Sequence, residues 1–169
     1  MSETAVANTG PLLHLSEIGL EKVLTIFERV IVSEQVKAEL IRHSVFDRLA
    51  ETLSNRFMVQ GVTKEELEAQ GKLLSGFKVH RADLSVAALA FRLLPDVVLT
   101  DDLELRKGLE AQGHTVVGSV GVLIRAFRVG LLTKAELKSH LDRLFDGSTL
   151  YLSKAFRTHV RKLLKDLID

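Results

Sequence analysis

A chain of 169 residues, 46% of them apolar and 27% charged, is sized for one domain with a substantial core. Twenty-three Lys and Arg against 22 Asp and Glu leave a formal net charge of +1. That balance excludes a strongly basic, sequence-blind nucleic-acid binder, so any contact with RNA or DNA must use a local patch. The lack of cysteine excludes a disulfide framework and thiolate chemistry.

Met1-Ser2-Glu3-Thr4 has no basic segment leading into a long apolar run, so no signal peptide is expected. No apolar stretch is long enough to span a bilayer, and the expected location is cytoplasmic. Thr4-Ala5-Val6-Ala7 reads as the first strand, ending in Asn8-Thr9-Gly10-Pro11, where Pro11 suits the first turn of a helix. Leu12, Leu13, Leu15 and Ile18 give that helix, Gly19 interrupts it, and Val23, Leu24, Ile26 and Phe27 continue on a second helical piece. Val30-Ile31-Val32 is the second strand. Ser33 caps a helix carrying Val36, Glu39, Leu40 and Ile41. Val45, Leu49, Ala50 and Leu53 repeat at helical spacing, and Phe57-Met58-Val59 is the third strand. A polar helix follows from Lys64 to Leu74, then a loop to Arg81, then a strongly apolar helix opened by Asp83 and stopped at Pro95. Val97-Val98-Leu99 is the fourth strand and Thr115-Val116-Val117 the fifth, with a helix between them ended by Gly113. Ser119 caps the next helix, and Thr133 with Glu136 forms a capping box for the one after.

Short apolar strands alternating with helices predict a mainly parallel five-stranded sheet covered on both faces, a three-layer α/β/α unit. The Asp146-Gly147-Ser148 break divides residues 1–145, the domain proper, from residues 146–169. The latter form a C-terminal helix that packs on the domain or on a dimer partner.

The carboxyl ends of parallel strands share one edge, and ligands bind in the crevice beyond it. Asn8, Asp102 and Ser119 follow strands one, four and five, with Glu39 on a helix leaving the same edge and Asp83 on the helix before strand four. Asp101, Asp102 and Glu104 place three carboxylates in four residues, which repel one another unless a cation, a basic partner or water offsets them. Helix capping by Asp102 accounts for part of that cluster equally well. Oxygen ligands without cysteine point to a hard cation, Mg²⁺ or Mn²⁺, and to a metal-dependent phosphodiesterase. Asp101 reads as solvated or as a support to Asp102. The six histidines show no zinc spacing and read as surface or loop residues, with His80 and Arg81 the ones near the pocket. Arg125, Arg128, Lys134 and Lys138 can track a phosphate backbone, as can Lys154, Arg157, Arg161, Lys162 and Lys165 on the last helix; a charged helix face is ordinarily just solvated.

Four stretches together resemble the PIN-domain superfamily, the ribonuclease-type fold of VapC-like toxins. They are Val6-Ala7-Asn8-Thr9-Gly10-Pro11-Leu12-Leu13, Val30-Ile31-Val32-Ser33 through Glu39-Leu40, Asp83 through Ala90, and Leu99-Thr100-Asp101-Asp102. The run Val116 through Leu123, with Arg128-Val129-Gly130-Leu131-Leu132, resembles the stand-alone PIN-like proteins in particular. The resemblance implies a PIN-like fold and an endoribonuclease whose metal pocket is formed by Asn8, Glu39, Asp83 and Asp102, with Glu104 as a further acid. Catalysis falls to Glu39, Asp83 and Asp102, and Thr9 and Ser119 support the pocket. Arg81, Arg125 and Arg128 are the candidates for RNA contact. An antitoxin protein and a second copy of the chain are the partners expected. Asn8 stands where the family usually has Asp and Gly10 where Ser or Asn is usual, which leaves a catalytically weakened nucleic-acid- or protein-binding module as the alternative.

Overall fold

In the computed structural model, which describes residues 2–168, five short apolar runs become the strands of one all-parallel sheet. They are β1 (Glu3–Ala7), β2 (Phe27–Ser33), β3 (Phe57–Gln60), β4 (Val97–Leu99) and β5 (Val116–Val117). Their order across the sheet is β3-β2-β1-β4-β5. Ala5, Val6, Ala7, Val30, Val32, Val98 and Leu99 are fully buried, the pattern of parallel strands covered on both faces. The chain moves from β1 to β2 and β3 on one side, then returns to β4 and β5 on the other. The topological switch point therefore lies between β1 and β4.

The helices are α1 (Thr9–Glu17), α2 (Glu34–Arg42), α3 (Phe46–Leu53), α4 (Lys64–Leu73), α5 (Arg81–Leu93), α6 (Leu103–Ala111), α7 (Ser119–Arg128), α8 (Lys134–Gly147) and α9 (Lys154–Ile168). The helices cover both faces of the sheet. α5 packs on α4 and on β1 and β2, while α7 and α8 return to cover α1. Phe27, Leu12, Leu15, Leu40, Leu89, Leu99 and Leu105 are among the side chains sealed in the resulting core. Val160 and Leu164 of α9 join that core, whereas Phe156, Leu163 and Leu167 stay exposed along the same helix. No helix among the described residues is long and apolar enough to cross a membrane.

Four boundaries differ from the sequence reading. Phe27 does not end a helix: it opens β2, fully buried, after a 3₁₀ turn over Glu21–Ile26. α5 begins at Arg81, because the Asp83 carboxylate reaches back to accept the His80 N–H (2.8 Å) and so caps the helix from its third residue. Gly118, not Ser119, is the capping residue of α7, and Ser119 is its first helical residue. α8 runs on through Asp146 to Gly147 before the chain turns toward α9.

Leu89 lies at the middle of α5 with no solvent exposure. Leu89→Ala should lower the unfolding free energy by about 2–5 kcal/mol, read from the urea midpoint at unchanged slope. A loss below half a kilocalorie would show that α5 is not anchored through this side chain.

Candidate active site

The site begins where the sheet ladder ends. Asn8 N–H donates to Leu99 O (2.8 Å) and Thr100 N–H to Val117 O (3.0 Å), which fixes the backbone one residue beyond β1 and β4. From that position the Asn8 side chain caps α1, its Oδ1 accepting the Thr9 N–H (2.9 Å). Its Nδ2 then donates to Asp83 Oδ1 (3.2 Å) and to Thr100 Oγ1 (3.1 Å). The reversed amide would set an oxygen against the Asp83 carboxylate and an NH₂ against the Thr9 N–H, so the network fixes the orientation. The amide nitrogen of Asn8, and not the oxygen expected as a metal ligand, thus faces the acids.

The three expected catalytic carboxylates stand around this amide in different settings. Asp83 is 5% exposed and takes its hydrogen bonds from Asn8 and from the His80 backbone. Burial pushes its carboxyl above the usual range and the neighbouring Asp102 charge adds to the rise, against the lowering by those hydrogen bonds. Asp102 caps α6, its Oδ1 accepting Leu105 N–H (2.8 Å), while its own N–H donates to Thr100 Oγ1 (3.1 Å). Glu39, half-buried on α2, accepts the Thr9 hydroxyl through Oε2 (2.6 Å). Glu104 is half-buried in the first turn of α6. Each of Glu39, Asp83 and Asp102 is met by neutral donors. Among the described residues no group of three or more His, Cys, Asp or Glu side chains is gathered so as to hold a metal ion.

Asp101 is not solvated. Ser119 donates to it twice, from N–H to Oδ1 (2.7 Å) and from Oγ to Oδ2 (2.5 Å), and His14 Nδ1 lies 2.7 Å from Oδ2. Gly118 permits this approach, since a Cβ there would lie 2.8 Å from Asp101 Oδ1. Ser119 therefore supports the pocket through Asp101, and the His14–Asp101 contact ties α1 to the turn after β4. His14 was taken for a surface residue; its partner lies 87 positions away, and the sole local sign is that Gly10 and His14 share a face of α1. Thr100, fully buried and bonded to both Asn8 and Asp102, was likewise missed. A second hydroxyl pair, Ser33 Oγ to Ser85 Oγ at 2.6 Å, joins the first turns of α2 and α5, the helices that carry Glu39 and Asp83.

The basic candidates scatter. Arg81 is exposed at the start of α5, two residues before Asp83. Arg125 pairs with Glu3 at the beginning of β1 (2.5 Å), the opposite edge of the sheet, and Arg128 lies exposed one turn further along α7. The structure does not bring these two to the pocket.

A family model described as a PIN domain matches residues 4–166. The chain belongs to the PIN-domain family. No curated protein matches it. The PIN fold accounts for the parallel sheet, and it makes the fold nuclease-like.

The rise of the Asp83 pKa has a sign that can be checked in metal-free buffer. A raised folded-state pKa means that the native PIN domain binds more protons than the unfolded chain between the two values, so stability falls as pH climbs through that window. Relative to Asp83→Asn, the parent should lose stability as pH rises from the usual aspartate range toward neutrality, and then level off. A parent-to-variant difference that stays constant across that range would show that burial does not govern this carboxyl.

Proposed function

We propose that this PIN-domain protein is a Mg²⁺- or Mn²⁺-dependent endoribonuclease of the cytoplasm that hydrolyses phosphodiester bonds in single-stranded or looped RNA. The observation that carries the reading is Asp83. A carboxyl buried to 5% exposure and pushed up by desolvation and by the Asp102 charge, with two N–H donors and the nearby His80 only partly offsetting the rise, favours an added positive charge.

The donor set fits a hard divalent ion: it offers carboxylate oxygens and no soft ligand. Mg²⁺ is generally held through one or two carboxylates, with water and substrate phosphate completing its shell, so a closed protein cage is not required. Asp102 Oδ2 and Glu39 Oε1, which take no hydrogen bond among the described residues, are the oxygens left for it, with Glu104 at the margin. A bound ion of this kind supplies an activated water and offsets charge on the phosphate. The chain's own residues do the positioning. Asn8 and the His80 N–H aim the Asp83 carboxylate, the Thr9 hydroxyl holds Glu39, and Thr100 locks the turn that presents Asp102. Arg81 is the side chain for the scissile phosphate. The exposed stripe of Phe156, Leu163 and Leu167 supports a homodimer, and a toxin-type role would have an antitoxin segment cover the acidic edge.

One observation favours a second reading, a binding module with weakened chemistry. The Asn8 NH₂ group points toward the acids and disfavours a cation beside it. Calorimetry with Mn²⁺ separates the two. For the nuclease, the parent binds Mn²⁺ and cleaves unstructured RNA, and Asp102→Asn loses both. If neither protein binds the ion, the nuclease reading fails and the module stands. Asn8→Asp adds a carboxylate in contact with Asp83 and should tighten Mn²⁺ binding at least about tenfold. Cleavage by that variant alone, the parent being inert, would assign the natural chain to the weakened class.

A further inference from the structure

Phosphate chains are repelled by the edge that would cut them. Glu39, Asp83, Asp101, Asp102 and Glu104 line that edge, and Arg125, a candidate for holding RNA, is engaged by Glu3 at the far side of the sheet. The compensating charge lies elsewhere in the chain. Residues 133–169 contain eight Lys and Arg against five Asp and Glu, whereas residues 1–132 contain fifteen against seventeen. The basic side chains of that C-terminal part look like two separate solvated helix faces in the sequence, Lys134 and Lys138 on one helix, Arg161 and Lys165 on the other.

The fold sets the two faces opposite each other. α8 and α9 enclose a cleft of about 690 Å³, with Lys134 and Lys138 one turn apart along one wall and Arg161 and Lys165 one turn apart along the other. Asp142 is the sole acid lining it among the described residues, 3.8 Å from Arg161 Nη2. Lys138 and Lys165 are exposed and form no ion pair among the described residues. Arg161 lies over the Phe145 ring at 5.8 Å, with Arg157 over the same ring at 5.5 Å. We propose that this α8–α9 cleft is a second RNA-contact surface, apart from the acidic pocket, which holds the phosphate backbone of a single-stranded segment. The proposal rests on the nuclease reading for its substrate class and concerns a different surface.

Paired cations on both walls favour RNA over an acidic peptide. Leu141, Phe145 and Leu164, 1%, 3% and 7% exposed, close the floor between them. A backbone-tracking polyanion needs paired cations and no apolar anchor, and Arg planes can in addition stack on bases. The cleft is also well separated from the pocket. α8 meets α1 at its far end, where Thr149 bonds Glu17 and a Cβ on Gly147 would touch Ile18, roughly 13 Å of helix away from Thr9.

The test is anisotropy of a fluorescent oligouridylate with the full chain in EDTA, across a series of salt concentrations, where no cleavage enters the signal. The Lys138→Glu/Lys165→Glu protein should bind at least tenfold more weakly. The slope of log K against log[salt] should become shallower by roughly 1.4, the value for two lost phosphate contacts on a single strand. Arg29→Glu/Lys64→Glu makes the same change in net charge outside residues 133–169 and should stay near the parent. Equal affinity and slope in parent and Lys138→Glu/Lys165→Glu would overturn the proposal, as would equal weakening by the control pair. Tighter binding of polyglutamate than of RNA to the parent would overturn it in favour of an acidic protein partner. None of these outcomes bears on Mn²⁺ binding at Asp83 and Asp102, which calorimetry reads separately.

Discussion

The Asn8 side chain is the joint on which the carboxyl edge of this PIN domain depends. One amide caps α1 through its oxygen and, through its nitrogen, joins the end of β1 to Asp83 on α5 and to Thr100 after β4. Three elements that meet nowhere else in the sequence are thereby held at one point. Removal of this side chain would leave the buried Asp83 carboxylate with the His80 N–H as its remaining donor, and an under-satisfied buried charge costs more than the bond it loses. A neutral residue at this point also explains how Asp83 can be buried beside Asp102 in the metal-free chain: two N–H donors, one from Asn8 and one from His80, offset part of the cost of burial.

The adjacent residues Asp101 and Asp102 illustrate how a turn divides labour between like side chains. Asp101 faces α1 and α7, where Ser119 and His14 occupy both of its oxygens. Asp102 faces α6 and spends only Oδ1 on its helix. The carboxylate with full coordination is the structural one, and the carboxylate with an oxygen to spare is the one fit to meet a ligand. Gly118 makes the division possible, because a Cβ at that position would lie 2.8 Å from Asp101 Oδ1 and force it from its contacts.

The sheet was legible because parallel strands buried on both faces leave uninterrupted apolar runs such as Val30-Ile31-Val32 and Val97-Val98-Leu99. The Ser33 and Asp102 caps and the Thr133–Glu136 capping box were legible for a related reason: cap and first turn are neighbours in sequence. Phe27 was misplaced because a lone aromatic at the end of an apolar segment carries no period of its own. The start of α5 was misplaced because Asp83 caps backward onto His80, so the acid marks the third residue and not the boundary. The direction of the Asn8 amide and the pairing of His14 with Asp101 had no local signature at all. Their partners lie 75, 92 and 87 residues away, and only the closed fold brings them within reach. Arg125 shows the converse: a basic residue on a helix that starts at the pocket is carried by that same helix to the opposite edge.

A net charge of +1 conceals an uneven molecule, acidic at the switch point and basic along α8 and α9. The two ends do not neutralise each other across the body, since screening in salt erases interactions between exposed charges much beyond 10 Å. They act as separate surfaces. An acidic pocket attracts cations and rejects phosphate chains, and a basic cleft does the reverse. A chain that combined these poles in one groove would pair them internally, as Arg125 and Glu3 do, and would offer neither to a ligand. Keeping them apart leaves both charges available to ligands of opposite sign.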